Sequence, residues 1–330
     1  MENEGKLFDL YNQIFYLNDA SRKVLIDTGV ILSPEGNPEF RELFDIKLRP
    51  HQKISHAELR SFRNKRADYV KNQRFLLDYI KQTDYIVIPE VISELETRLN
   101  DCRVSMDFLN SNDERFKNEI KQNYTPKNKI DYLHVWRSMH NIVRHKLEEY
   151  TQNLNEFIDH THENPRHICS PNGIEFKEGR FYRYLFNIFN SYYKNPKKND
   201  FFTDPKILAM GFYLCAAKNL SHIRILTNDT DLRNMAFDSF HKIYLNSLKY
   251  PNGFKFDNKN LKLYQIIKMN ESESYMIKTF SMDFEIKKIK ERLLNPSPIL
   301  QQDGQNQINN SGIEQIAGQN NIGLPGAQSV

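Results

Sequence analysis

Short apolar runs that end on or near acidic residues are the feature that most constrains this chain. Such runs are typical of buried strands, where a carboxylate is disfavoured unless something binds it. In an open parallel α/β sheet the carboxyl ends of neighbouring strands face one crevice, so distant residues can meet there. The acids concerned, called the acidic set below, are Asp27 after residues 24–26, Glu94 one helical turn beyond 86–88, Asp204 at the start of the helical run 204–209, and Asp229 after 223–228. The sequence therefore predicts an α/β fold with a parallel sheet flanked by helices.

A cluster of carboxylates requires a cation. At a separation of about 4 Å, each like-charge pair costs roughly 1 kcal/mol in water and about 4 kcal/mol at an effective dielectric of 20. Mg²⁺ or Mn²⁺ would remove this repulsion and would gain the hard oxygen ligands that these ions prefer. The acidic set therefore predicts a metal-dependent phosphodiesterase.

Composition predicts an intracellular, cytoplasmic protein with a mild preference for polyanions. No segment approaches 18 consecutive apolar residues, and the N-terminus lacks the positive charge and apolar stretch of a signal peptide. Three scattered cysteines provide no disulfide framework. The net charge is +4, and residues 298–330 hold two acids but no Lys or Arg, so the remainder carries +6. This bias is compatible with nucleic-acid binding.

Hydrophobic periodicity divides the chain into four regions. Residues 1–22 are predicted to form a helix packing on the core, and residues 23–250 the α/β domain. A helical insertion at about 100–198 reads as a hairpin projecting from that domain, with its main helix over 130–158. Residues 251–297 form a strand and helix extension, and the polar residues 298–330 a disordered tail. A protein partner or self-association through the insertion remains open.

Finer predictions concern the C-terminal half of the chain. A short helix is expected over 232–237, a strand over 242–245, a second β-like piece near 254–264 and a charged helix over 275–294.

Two basic segments are candidates for contacting a nucleic acid. The predicted helix 59–81 places Arg63 and Arg66 among its outward charges, with Phe75 inward, although such a run usually forms a solvated face. The segment 180–198 alternates bases with aromatic residues, which fits either core packing or strand stacking. Its end holds Lys194, Lys197 and Lys198, called the lysine cluster below. We expect the lysine cluster to contact phosphates, with RNA favoured over DNA.

Four segments surround the acidic set, namely KVLIDTGVIL at 23–32, VIPEVISEL at 87–95, DPKILA at 204–209 and LTNDTDLR at 226–233. They resemble, in family order, the motifs of the PIN-domain ribonucleases, a family of PIN-like nucleases. The resemblance covers roughly residues 22–100 and 199–247.

The resemblance implies a PIN-like fold and a metal-dependent endoribonuclease acting on single-stranded RNA. Asp27, Glu94, Asp204 and Asp229 would hold one or two Mg²⁺ or Mn²⁺ ions that orient the scissile phosphate and activate water. The hydroxyl of Thr227 would lie beside the metals. Asp231 would assist or replace the fourth acid, and Asp200 is a substitute candidate for Asp204. The chain departs from the family at Gly29, where the first motif usually has Asn.

Other interpretations compete with this one. Asp204, Asp229 or Asp231 could simply cap a helix, and Glu94 could be an exposed helix residue. His160, His162, His167 and Cys169 match no common zinc spacing and are expected in a surface loop.

At the level of the whole protein, two alternatives remain. The chain could be a catalytically inactive PIN-like scaffold that binds RNA or a protein. The Asp-Thr-Gly triplet at 27–29 also resembles the aspartic proteases, which need an all-β body and a second catalytic Asp.

Overall fold

The fold was analysed in a computed structural model of the chain. The structure describes residues 9, 11, 14, 15, 22–33, 44, 55–123, 126–171, 176–193, 201–217, 220, 222–249, 256, 260–268 and 275–294. The predicted tail at 298–330 and the lysine cluster lie outside these residues.

The centre of the molecule is a five-stranded, mostly parallel sheet with strand order β2-β1-β3-β4-β5. Strands β1, β2, β3 and β4 run parallel, and β5 pairs antiparallel with β4. The strands are β1 Arg22–Ile26, β2 Tyr85–Ile86, β3 His222–Thr227, β4 Asn260–Lys268 and β5 Tyr275–Ser281. The predicted α/β class is confirmed.

Helices connect and cover these strands, as parallel pairing requires. They are α1 Thr28–Leu32, α2 His56–Lys81, α3 Pro89–Asn123, α4 Pro126–Glu163, α5 Phe176–Tyr192, α6 Thr203–Ala217, α7 Thr230–Lys249 and α8 Met282–Leu294. Because helices shield both faces, the central strands β1 and β3 carry almost continuous buried apolar runs. Among the described residues, no helix is both long and apolar enough to cross a membrane.

Helix α2 begins at a capping box in which Ser55 and Glu58 satisfy each other's backbone N–H groups. Its buried stripe follows the steps of three and four that a helix imposes, from Arg66 through Tyr69 and Gln73 to Ile80. Arg66 is therefore buried, at 4% exposure, whereas Phe75 is 52% exposed. The predictions that Arg66 faces outward and Phe75 inward are both wrong, because the apolar stripe lies at a different angle around the helix.

The region predicted as a projecting insertion is built into the body along much of its length. Helix α3 continues without a break past residue 100. The predicted insertion is therefore not separated from the helix that follows β2. The ring of Tyr150 in α4 stacks on Tyr69 of α2, with centroids 6.1 Å apart, and both hydroxyls donate to the carbonyl of Leu32 at the end of α1. Helix α4 therefore packs against α2, and through Tyr150 it also contacts the end of α1. The hairpin is part of the body along this helix and does not project from it as a whole.

Several predictions for the C-terminal half are also wrong. Residues 242–245 belong to the single helix α7. Residues 275–281 form strand β5, because their alternating side chains pair with β4, and the helix begins only at Met282. The extension predicted over residues 251–297 contributes β4 and β5 to the same sheet, beyond β3.

The chain divides into two compact units, Met1–Ile286 and Lys287–Val330. The second is described only over residues 287–294, the end of α8. Within the first unit, the predicted N-terminal helix is described at four positions, all helical, where Tyr11 and Ile14 are buried.

Candidate acidic site

The strand order places the ends of β1 and β3 at a topological switch point. From β1 the chain crosses to β2 on one side and later returns to β3 on the other. Ligands of open α/β sheets bind in the crevice outside the carboxyl ends of the strands at such a point. Asp27 follows β1, and Thr227 ends β3 with Asp229 two residues later.

Asp27 is the most buried acid of the site, at 4% exposure. Its backbone N–H donates to the carbonyl of Leu226 at 3.0 Å, which fixes it against β3. Thr227 Oγ1 donates to Asp27 Oδ2 at 2.7 Å. The pKa of Asp27 is raised from 3.8 to about 7, chiefly by burial; the charges of Glu94 and Asp229 contribute to the rise, and the hydrogen bond from Thr227 opposes it. Glu94 and Asp229 therefore lie close enough to Asp27 for their charges to raise its pKa.

Glu94 lies on α3, a little over one turn after Pro89 begins that helix. Both of its carboxylate oxygens accept hydrogen bonds from threonines on other elements. Thr28 donates to Oε2, and Thr203 Oγ1 donates to Oε1 at 2.5 Å. Glu94 is half-buried, so the competing interpretation of a simple exposed helix residue is wrong.

Asp229 caps helix α7. It directly precedes the first helical residue, and its Oδ1 accepts from the backbone N–H of Asp231 at 2.7 Å. Its own N–H donates to Thr227 Oγ1 at 2.8 Å, so one hydroxyl joins Asp27 to the backbone of Asp229. Capping engages one side-chain oxygen and is compatible with a ligand at the other. Asp231 is exposed in the first turn of α7.

Asp204 occupies the first turn of α6 and is half-buried. It directly follows Thr203 in the sequence, and the hydroxyl of Thr203 contacts Glu94. Asp200, the substitute candidate, lies outside the described residues.

The carboxylates of the acidic set match a divalent metal ion in donor type but not in arrangement. Within the described part of the chain, no group of three or more His, Cys, Asp or Glu side chains is arranged to hold a metal ion. The acids instead accept hydrogen bonds from Thr28, Thr203 and Thr227. The fit is one of donor type: the pKa of the Asp27 carboxyl is raised by burial and by two neighbouring acids, and a cation that prefers oxygen ligands would favour its ionised form.

Gly29 and Asn228 bring α1 close to the end of β3. The side chain of Asn228 donates to the carbonyl of Ser33 at 2.5 Å and to that of Gly29 at 3.4 Å. A Cβ at position 29 would lie 3.3 Å from Asp27 Oδ2, a tight contact. Glycine at position 29 thus leaves room beside the Asp27 carboxylate.

Sequence reasoning missed three polar residues of the site, namely Thr28, Thr203 and Asn228. Each is adjacent in sequence to a member of the acidic set or to Thr227. That adjacency was the one available signal.

The predicted nucleic-acid contacts differ in their surroundings. Arg63 is exposed on α2. The guanidinium of Arg66 lies 3.2 Å from the ring centroid of Phe62, and its Nη1 donates to the Phe62 carbonyl at 3.0 Å. Burial lowers the pKa of Arg66 to about 10. Arg66 therefore packs within the helix surface and does not present its charge to solvent.

The histidine-rich stretch is not the surface loop that was expected. His167 is buried, its ring stacks on Tyr85 with centroids 4.1 Å apart, and its Nδ1 lies 2.8 Å from the Tyr85 carbonyl. Val87 forms an isolated parallel bridge with Ile168. This stretch extends the edge of the sheet beside β2, because it satisfies the backbone groups of Tyr85 and Val87.

Comparison with known proteins gives no further guide to identity. Neither a family model, nor a curated protein, nor a solved structure matches this chain.

Proposed function

We propose that this protein is a PIN-like, metal-dependent endoribonuclease. One observation carries the proposal: at the switch point of a parallel sheet, the pKa of Asp27 is raised by burial and by the charges of Glu94 and Asp229, which are far from it in the sequence. Such an arrangement costs the folded protein stability unless a cation neutralises it. The order of the four motifs along the chain supports the same family.

The proposed cofactor is Mg²⁺ or Mn²⁺, with Asp27, Glu94, Asp204 and Asp229 as its ligands. When bound, such an ion polarises phosphoryl oxygens and stabilises the charge that develops during hydrolysis. The chain's own part is to orient the ligands. Thr227 fixes Asp27, Thr28 and Thr203 fix Glu94, and capping of α7 fixes Asp229.

The proposed substrate is single-stranded RNA inside the cell. The positive charge on residues 1–297 and the exposed Arg63 support a polyanion. All three cysteines are free thiols, which supports a reducing compartment such as the cytoplasm. The mostly parallel α/β sheet argues against the aspartic-protease alternative, because that class requires an all-β body.

The direct test is cleavage of labelled single-stranded RNA and DNA by the purified full-length protein in Mn²⁺, in Mg²⁺ and in chelator. We expect metal-dependent cutting of RNA, abolished by Asp27→Asn, which removes a charge and a ligand with little change in volume. Asp159→Asn is the matched control, because Asp159 is exposed on α4. It should cut like the wild type.

Undiminished cutting by a folded Asp27→Asn protein would refute the proposed active site. If the wild type binds RNA but cuts neither nucleic acid in any metal, the result would favour the non-catalytic scaffold.

A further inference from the structure

The start of helix α6 is attached to α3 at two points. Thr203 Oγ1 donates to Glu94 Oε1 at 2.5 Å. One turn away on both helices, Lys206 Nζ lies 2.8 Å from Glu90 Oε1. Both contacts join residues more than a hundred positions apart in sequence.

The backbone before Thr203 is held in an uncommon conformation. Phe202 has a φ of 55°, in the left-handed region that costs a bulky residue free energy. Its carbonyl accepts from the Lys206 N–H at 3.2 Å, and its ring meets that of Tyr193 edge-on. A strained residue persists only where its surroundings hold it, and Phe202 immediately precedes the Thr203 that contacts Glu94.

The hydroxyls of Thr28 and Thr203 together engage both oxygens of Glu94. Both threonines are buried, and they belong to different elements, α1 and α6. Both hydroxyls act as donors to this carboxyl group. Glu94 is thereby held in one rotamer, between the residue that follows Asp27 and the residue that precedes Asp204.

We propose that Thr203 is a positioning residue of the acidic site. Through its hydrogen bond to Glu94, it couples the docking of the α6 N-terminus, which carries Asp204, to the placement of the Glu94 carboxylate. Thr28 holds the second oxygen of the same group. This inference rests on the proposed function in one respect, namely that the positioned carboxylates serve to bind a divalent cation.

The test uses the full-length protein with Thr203→Val, which removes the hydroxyl at nearly constant shape, and Thr203→Ser, which keeps it. Mn²⁺ binding is followed by calorimetry, and folding by the melting temperature in chelator. Loss of an outer hydrogen-bond partner typically weakens metal affinity 10- to 100-fold. We therefore expect Thr203→Val to bind Mn²⁺ about tenfold more weakly, and Thr203→Ser to recover most of that loss.

Thr161→Val is the matched control. Thr161 is also fully buried, and its hydroxyl contacts Tyr85 Oη and the Phe157 carbonyl, each at 2.8 Å. This variant should lose stability as Thr203→Val does, but should bind Mn²⁺ like the wild type. Wild-type Mn²⁺ affinity in a folded Thr203→Val protein would overturn the proposal.

A double-mutant cycle in chelator tests the hydrogen bond without metal. If Thr203 holds Glu94, Thr203→Val should lower the melting temperature less in a Glu94→Ala background than in the wild type. Equal losses in the two backgrounds would overturn the proposal.

If the wild type bound no Mn²⁺, the proposed function would fail and this cycle alone would decide the role of Thr203. If Mn²⁺ binding responded as expected but RNA stayed intact, only the ribonuclease activity would be refuted.

Discussion

Replacing Asp27 with Asn should stabilise the metal-free protein by an amount that grows with pH. Burial is the main reason that the pKa of Asp27 rises from 3.8 to about 7, with added repulsion from Glu94 and Asp229. Between about pH 4 and pH 7 the folded protein therefore holds a proton at Asp27 that the unfolded chain has lost. The free energy of unfolding falls as pH rises through this range, because the folded state binds more protons.

The size of the effect follows from the pKa. Each tenfold change in proton affinity corresponds to 1.36 kcal/mol, so a rise from 3.8 to about 7 makes the ionised carboxylate cost about 4 kcal/mol above pH 7. Asn has nearly the same shape and carries no charge, and its carbonyl can still accept from Thr227. The stability of Asp27→Asn relative to wild type should thus increase by up to about 4 kcal/mol between pH 4 and pH 8.

Urea unfolding in chelator across this pH range measures the difference. Asp159→Asn, on the exposed side of α4, should show no such trend. Asp229→Asn should weaken the pH dependence, since it removes one of the charges that raise the pKa of Asp27. Parallel pH profiles for wild type and Asp27→Asn would refute the argument, because they would mean that ionising Asp27 does not destabilise the fold.

Further predictions concern metal, substrate and packing. Millimolar Mn²⁺ should raise the melting temperature of the wild type but hardly that of the Asp27→Asn, Asp229→Asn double variant; an equal rise in both would place the metal elsewhere. Alanine substitution of the lysine cluster should flatten the salt dependence of RNA binding measured in Ca²⁺, by about 0.7 in the logarithmic slope for each phosphate that the variant no longer neutralises. Arg63→Ala should have a smaller effect, and unchanged slopes in both variants would leave the helical insertion as the candidate. Gly211→Ala should destabilise the protein by about 1–3 kcal/mol, because its Cβ would lie 2.7 Å from Ile225 Cδ1; denaturant unfolding without such a loss would show that Ile225 can move aside.

Sequence alone determined the parts of the fold that depend on local pattern. Buried parallel strands carry continuous apolar runs, so β1 and β3 were predicted close to where they occur, with Asp27 and Asp229 after them. Helical periodicity likewise predicted the seam of α4, which includes Leu147 and Tyr150. These predictions succeeded because neighbouring residues in the chain carry the signal.

Packing decided what local pattern left open. The angle of the buried stripe on α2, which encloses Arg66 and exposes Phe75, depends on where that helix meets α4. Residues 275–281 became a strand because β4 offered a free edge for pairing.

The hydrogen bonds of Glu94 depend in the same way on residues far apart in the sequence. Thr28 and Thr203 reach its two oxygens only after α1, α3 and α6 have assembled around the sheet. A sequence places acidic residues at strand ends, but contacts between distant elements arise from tertiary packing, and this packing raises the pKa of Asp27 and orients Glu94.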